Sequence, residues 1–222
     1  MIQINNLFKI YNQGKINEFC ALKDINLSIN DGETVILKGV SGSGKSTLLS
    51  LIGGLSKPSS GEILINGQNI SKLPDIMSSN IRHKELGFIF QSFNLIDGLS
   101  VEQNVMAPLS LLRLKKAEIL TKIDSALNLA NIAHKKEQLV SSLSGGEKQR
   151  CAVARALVMD PDIILADEPT ANLDKENSLM FIQMMQKFKS LNKTLIVATH
   201  DLLFDELEFV DKRINMRDGE IL

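Results

Sequence analysis

Tryptophan is absent from the 222 residues, tyrosine occurs once, and the two cysteines, Cys20 and Cys151, stand far apart and outside any metal-ligand spacing. Two such cysteines build no disulfide framework, so a reducing compartment is expected. Neither sign of charge is in excess: 25 basic against 26 acidic residues leave a formal net charge of −1. That balance offers no bulk attraction to nucleic acid or anionic lipid. No segment reaches the ~18 uninterrupted apolar residues of a spanning helix. Met1-Ile2-Gln3-Ile4-Asn5-Asn6 also lacks the basic and apolar regions of a secretion signal. Action on a membrane would therefore need a partner. With 44% hydrophobic and 23% charged residues, the composition suits one large globular domain, or one with a sizeable insertion.

What is present concentrates at Gly39-Val40-Ser41-Gly42-Ser43-Gly44-Lys45-Ser46-Thr47. An apolar run, Thr34-Val35-Ile36-Leu37, precedes it and another, Leu48-Leu49-Ser50-Leu51-Ile52, follows. Strand, glycine-rich turn and helix are the setting a phosphate-binding loop requires. Glycine lets the main chain approach an anion closely. Successive N–H groups and the positive end of the new helix then face the phosphates. Lys45 adds a full charge toward the β- and γ-phosphates, and the Ser46 hydroxyl is placed to ligate Mg²⁺.

Residues 1–38 read as strands, with Ile2 and Ile4, then Ile25, Leu27 and Ile29, alternating with polar neighbours. Tyr11 lies in a polar stretch with little core to fill, either as a surface ring or as one that stacks on a base. Glu62–Gly67 reads as a short strand ending in a hairpin, Ile81–Glu85 as helix, and Gly87–Phe90 as strand ending at Gln91. From about 92 to 150 the character changes to helical. Ile119, Leu120, Ile123, Leu127 and Ala130 recur at helical period. A second helix starts at Gly145-Gly146 with Ser144 as N-cap, carrying Val153, Ala154, Leu157 and Val158 on one side. The α/β pattern then resumes. Ile163–Ala166 and Thr194–Ala198 read as buried parallel strands, and a helix over 176–190 points Phe181, Met184, Met185 and Phe188 inward.

In parallel sheets ligands bind beyond the carboxyl ends of the strands. Three such ends carry polar groups: Gln91, Asp167-Glu168 and His200-Asp201. Asp167 suits Mg²⁺ ligation at the end of a buried strand. Glu168 is the better candidate for polarising an attacking water, because a metal-bound carboxylate accepts a proton poorly. Gln91 could reach the metal or its water, and His200 could hydrogen-bond near the γ-phosphate.

Leu143-Ser144-Gly145-Gly146-Glu147-Lys148-Gln149-Arg150 joins these pieces. With the phosphate loop, the run Ile163–Thr170, Ala171-Asn172-Leu173-Asp174 and His200, all in order, the whole chain resembles the ATP-binding-cassette ATPases. The resemblance implies an α/β P-loop fold with a mostly parallel core sheet, an N-terminal antiparallel β-subdomain and an inserted helical subdomain. Residues 1–91 and 151–222 would form the core with the β-subdomain, and 92–150 the helical part. ATP and Mg²⁺ would be the cofactors. Gly39 to Thr47, Gln91 and Tyr11 would bind ATP, with Tyr11 on adenine. Ser46, Gln91 and Asp167 would serve Mg²⁺, Glu168 would be the general base, Lys45 would neutralise phosphate charge, and His200 would position the γ-phosphate and water. Two copies would pack head to tail. Ser144, Gly145, Gly146 and Glu147 of one copy would then close on the ATP held by the other, and Asp174 would sit at their boundary.

Ser46–Leu49 running to Gly53-Gly54-Leu55, Gly87–Gln91 with Phe93-Asn94-Leu95, and Leu165–Thr170 resemble the lipoprotein-release and macrolide-efflux group. An integral-membrane permease subunit is thereby implied as partner, with the chain held in the cytoplasm on the inner face of the membrane. Related cell-division subunits share much of the pattern and transmit force without transport, so that reading stays open. A nucleic-acid-associated cassette would bring a basic groove, which the charge balance does not provide. Val40, Ala171 and Cys151 depart from the usual pattern, and none of them is a reacting group.

Overall fold

A computed structural model describes residues 1–222. Two sheets organise it. The first is four-stranded and antiparallel, in the order β2-β1-β4-β5: β1 (Ile2–Tyr11), β2 (Phe19–Ile29), β4 (Ser60–Ile65) and β5 (Gln68–Asn69). The second is six-stranded, in the order β10-β9-β3-β8-β7-β6: β3 (Thr34–Lys38), β6 (Leu86–Ile89), β7 (Ile163–Asp167), β8 (Thr194–Thr199), β9 (Lys212–Arg217) and β10 (Glu220–Ile221). Strands β9, β3, β8, β7 and β6 run parallel, and only β10 turns back on β9. Six α-helices accompany them: α1 (Lys45–Ile52), α2 (Asp75–Glu85), α3 (Val101–Met106), α4 (Lys116–Leu129), α5 (Gly145–Leu157) and α6 (Lys175–Ser190).

Side-chain alternation along the central strands divides the apolar interior in two. Val35, Leu37, Ile163, Leu165, Ile196 and Ala198 face α1 and the antiparallel sheet. Ile36, Ile164, Ala166, Leu195 and Val197 face the opposite way, toward α5, α6 and the helical segment. This explains why the central strands read as unbroken apolar runs: both faces are covered. The helical segment therefore has no core separate from that face of the sheet. Helix α5 runs unbroken through residue 150, and Cys151 is buried on it with its thiol pushed up to about 12 by desolvation.

Several elements differ from the expectation. Helix α2 begins at Asp75, six residues before Ile81, because its first turns carry no inward apolar period; Ile76 and Met77 are exposed and Ser78 is its one buried residue. Helix α3 lies in the stretch read only as broadly helical, and it begins with a capping box in which the side chains of Ser100 and Gln103 bond each other's backbone. A 3-10 turn, Ala107–Leu111, continues it. On α4 the inward face is Ile123, Ala126 and Leu127, and Leu120 lies outside it. Strand β6 ends at Ile89, one residue before Phe90.

Candidate nucleotide site

The phosphate loop leaves β3 and enters α1 through Gly44, whose φ is 103°. A side chain there would be strained, and a Cβ would stand 2.9 Å from the Ala21 carbonyl oxygen. Helix α1 has no side-chain cap and no acidic residue in its first turn. Its first N–H groups, which no helix satisfies internally, are left to whatever anion the loop cradles.

Lys45 is the first residue of α1 and is buried. Its ammonium donates to the carbonyls of Gly39 at 2.7 Å and Val40 at 3.2 Å, and lies 3.6 Å from the Glu168 carboxylate. Ser46 Oγ donates to Asp167 Oδ1 at 2.8 Å. Burial raises the Asp167 carboxyl above its ordinary range; the Ser46 hydrogen bond works against that, the Glu168 charge adds to it, and Lys45 again opposes it. This hydroxyl–carboxylate pair offers hard oxygen donors of the kind Mg²⁺ takes alongside substrate phosphates. No group of three or more His, Cys, Asp and Glu forms a self-contained metal cage. The donor set thus fits a cation completed by its substrate.

Glu168 follows immediately, in the left-handed region at φ 44°. Outside glycine that conformation is uncommon and concentrates at functional sites. The Glu168 N–H donates to the Ala198 carbonyl at 2.8 Å, so β8 pins the turn. The kink separates two neighbouring acids: Asp167 turns to Ser46, and Glu168 turns to His200, whose Nδ1 lies 2.9 Å from Oε1. An ionised carboxylate only accepts, so Nδ1–H is the donor. The His200 ring itself is mostly exposed.

Lys45, Ser46, Glu168 and His200 open on one cavity of about 330 Å³, lined by residues 41–47, Gln91, Glu168, His200, Phe19 and Ala21; Asp167 does not line it and reaches it through Ser46. The three strand ends singled out in the sequence thus converge on the phosphate loop. Gly39 and Val40 do not line it; their carbonyls hold Lys45. Tyr11 does not line it either: Phe19, its partner across β1 and β2, forms that wall. Phe19 and Ala21 were missed because a lone aromatic in a polar hairpin carries no spacing signal.

Ser144, Gly145, Gly146 and Glu147 lie outside the cavity and begin α5. Ser144 Oγ accepts from the Glu147 N–H at 3.4 Å, and the Glu147 carboxylate accepts from the Ser144 N–H at 2.8 Å. That backbone hydrogen bond, joined by the Ser144 hydroxyl and by Lys135 at 3.2 Å, depresses the Glu147 carboxyl to about 2 against the opposing effect of desolvation. Gly146 is packed so tightly on Asn177 that a Cβ would overlap its amide. Asn177 in turn donates to Asp174 and accepts from Arg150 at 2.7 Å. Asp174 is exposed and caps α6 through the Asn177 N–H at 2.8 Å.

Further hydrogen bonds, which no sequence pattern announced, tie the loops together. Asn172 Nδ2 donates to the Gln91 carbonyl at 3.0 Å, and Thr170 Oγ1 donates to Asp201 at 2.8 Å. Arg155, on α5, donates to the carbonyls of Phe93 and Asn94, both in the left-handed region. The segment after Gln91 is therefore held by the same helix that begins at Gly145.

A family model described as ABC transporter matches residues 22–171, which include the phosphate loop, Gln91, the start of α5 and the acidic pair. The chain belongs to the ABC transporter family. Solved structures agree along its whole length. The "Dimeric structure of a post-hydrolysis state of the ATP-binding cassette MJ0796 bound to ADP and Pi" matches with a TM-score of 0.91 at 38% identity, covering 100% of this chain and 96% of that one. The dimeric structure of MJ0796 described as a bacterial ABC transporter cassette gives the same values. CbiO1 from Clostridium perfringens, described as part of the transporter complex cbiONQ, matches with a TM-score of 0.88 at 32% identity, over 100% of this chain and 86% of that one. The α/β cassette fold with its mixed core sheet and antiparallel N-terminal sheet is thus that of an ABC ATPase. No helix is long and apolar enough to cross a membrane.

Proposed function

We propose that this ABC cassette hydrolyses ATP as the motor subunit of a membrane complex for lipoprotein release or efflux, and that two copies close head to tail around two ATP molecules. The observation that carries the reading is the separation of two half-sites on one chain. Lys45, Ser46, Glu168 and His200 line one cavity, with Asp167 bonded to Ser46 behind it, while the glycine-flanked start of α5 stands outside it. The dimeric form of MJ0796 supports the pairing.

In this reading residues 41–47 bind the triphosphate, and Lys45 swings from the loop carbonyls to its β- and γ-oxygens. Ser46 and Asp167, with Gln91, would hold Mg²⁺, and the ion would supply neutralisation of phosphate charge. Glu168 takes the proton of the attacking water, held in place by His200 Nδ1–H and by the backbone kink. Ser144, Gly145 and Gly146 of the second copy present N–H groups and a helix dipole to the γ-phosphate. Chains carrying Lys45→Ala and chains carrying a disabled Ser144 are expected to be inactive alone and, when mixed, to recover one working site per heterodimer. Inert mixtures of singly active variants would sink the scheme.

The permease is proposed to dock in the groove of about 460 Å³ between α2, the 3-10 turn at 107–111 and α5, near the segment after Gln91. Arg82, Lys84 and Arg155 give its lining positive charge, and Pro108, Leu111 and Met159 an apolar surface. Such a groove suits a short amphipathic helix. Force would pass through Arg155 to the Phe93–Asn94 turn. Reversing Lys84 and Arg82 is expected to abolish ATPase stimulation by the reconstituted permease while basal turnover persists; unaltered stimulation would rule this docking site out.

A further inference from the structure

Glu168 and His200 stand on two separate loops, one after β7 and one after β8, and the same two loops meet again further along. Thr170 Oγ1 donates to Asp201 Oδ2 at 2.8 Å, a hydroxyl-to-carboxylate bond of the stronger kind. Thr170 is 5% exposed, so water has little access to replace that bond. Only Pro169 separates Thr170 from Glu168, and its ring restricts the backbone between them. Asp201 directly follows His200. Its N–H donates to Thr199 Oγ1 at 3.0 Å, its Oδ1 accepts from the Leu203 N–H at 3.0 Å, and its carbonyl accepts from the Phe204 N–H at 3.3 Å. Those partners are all local, so Thr170 is what ties Asp201 to another part of the fold. The His200 side chain is 67% exposed and has little packing of its own to orient it. Its reach to Glu168 is therefore set by its backbone. That backbone is held on one side by Thr199, buried in β8, and on the other by Asp201.

We propose that Thr170 and Asp201 are positioning residues for the reaction: their hydrogen bond fixes the loop after β8 so that His200 Nδ1–H stays on the Glu168 carboxylate. The assignment rests on the ATP reading above and deepens it. Neither residue lines the cavity, so both act through His200 and Glu168. Loss of the bond then slows turnover without loosening the nucleotide.

Steady-state phosphate release and calorimetric ATP binding on the full chain test this. Thr170→Val keeps the shape of the side chain and removes the donor. A misplacement of about 1 Å at reacting groups costs up to about a hundredfold, so kcat is expected to fall about tenfold, with ATP affinity unchanged. Thr170→Ser keeps the hydroxyl and is expected to restore kcat. Asp201→Ala removes the acceptor and should lower kcat at least as far. Adding Thr170→Val to Asp201→Ala should then cost nothing more, because the two changes break one bond. Overturning results are parental kcat in Thr170→Val, a serine variant as slow as the valine one, or additive losses in the double variant. Turnover and ATP affinity lost together would also overturn it, marking a folding role. If Glu168→Gln hydrolysed ATP at the parental rate, both this assignment and the reading beneath it would fall. If Glu168→Gln were slow while Thr170→Val was not, only the assignment would.

Discussion

Helix α1 starts with no side-chain cap, whereas α5 starts inside a complete capping box, although both begin beside glycine and serine. At α1 Gly44 is left-handed and the first turn is free of acidic groups; the nearest carboxylates belong to other strands. At α5 the chain supplies its own anion, Glu147, and its own acceptor, Ser144 Oγ. Both ends carry a positive dipole, but one is left uncapped by the chain's side chains and the other is largely settled by them. The difference teaches where each energy is spent. The loop before α1 brings no side-chain cap to the first turn of that helix. The start of α5 is a folded unit in its own right, and only the N–H groups of its first residues remain to offer a partner.

The sharpest break between the two ends concerns chemistry. Glu168→Gln keeps the shape of the turn and removes the proton acceptor, so ATP turnover is expected to fall by about 10³, within the usual span for a general base. Steady-state phosphate release measures it, with ATP affinity retained. A variant turning over at the parental rate would take the base away from Glu168 and leave the cavity without one.

Next come the glycines. Gly44→Ala puts a Cβ at φ 103° and 2.9 Å from backbone that cannot yield, so a loss of about 3 kcal/mol in stability is expected, together with nucleotide binding. Gly145→Ala meets only the Asn172 carbonyl, at 3.3 Å, in ordinary helical backbone. Its stability should stay within about 1 kcal/mol of the parent, while turnover that depends on a second copy falls. Chemical denaturation and ATPase assays on the pair separate a glycine needed for folding from one needed for contact. Equal destabilisation would erase the distinction.

How much of this was legible in the sequence follows the same division. The phosphate loop, the strand-end acids and the start of α5 each have fixed local spacing, so they could be read directly. The buried strands could be read because both faces are covered. Of helix α2 only the end, Ile81–Glu85, could be read; its first turns could not, since Ile76 and Met77 are exposed and give no core signal. The links Asn172 to Gln91, Thr170 to Asp201 and Arg155 to Phe93 join residues distant in sequence through backbone carbonyls or single polar atoms, and no composition or period encodes such pairs. Phe19 fell between these cases. Its site is made by β1 and β2 folding over the loop, which a linear pattern does not reveal.

The smallest expected effect tests the settled character of α5 itself. The Glu147 carboxyl is depressed to about 2 from an ordinary 4.5, chiefly by the Ser144 N–H, with Lys135 contributing less. A carboxylate held below its unfolded value stabilises the fold above that unfolded value. The contribution shrinks as pH falls below about 4.5 and is gone once pH passes about 2. Glu147→Gln should therefore cost about 1 kcal/mol at pH 7, the usual worth of such a cap, and the gap to the parent should narrow through pH 4 and 3. Comparing variant with parent at each pH cancels the titration of the other acids. Lys135→Ala should cost less, because a partly exposed ion pair is worth under about 1 kcal/mol. A gap that stayed constant down to pH 2 would mean the charge of Glu147 does no capping. The start of α5 would then be as dependent on an outside anion as the phosphate loop.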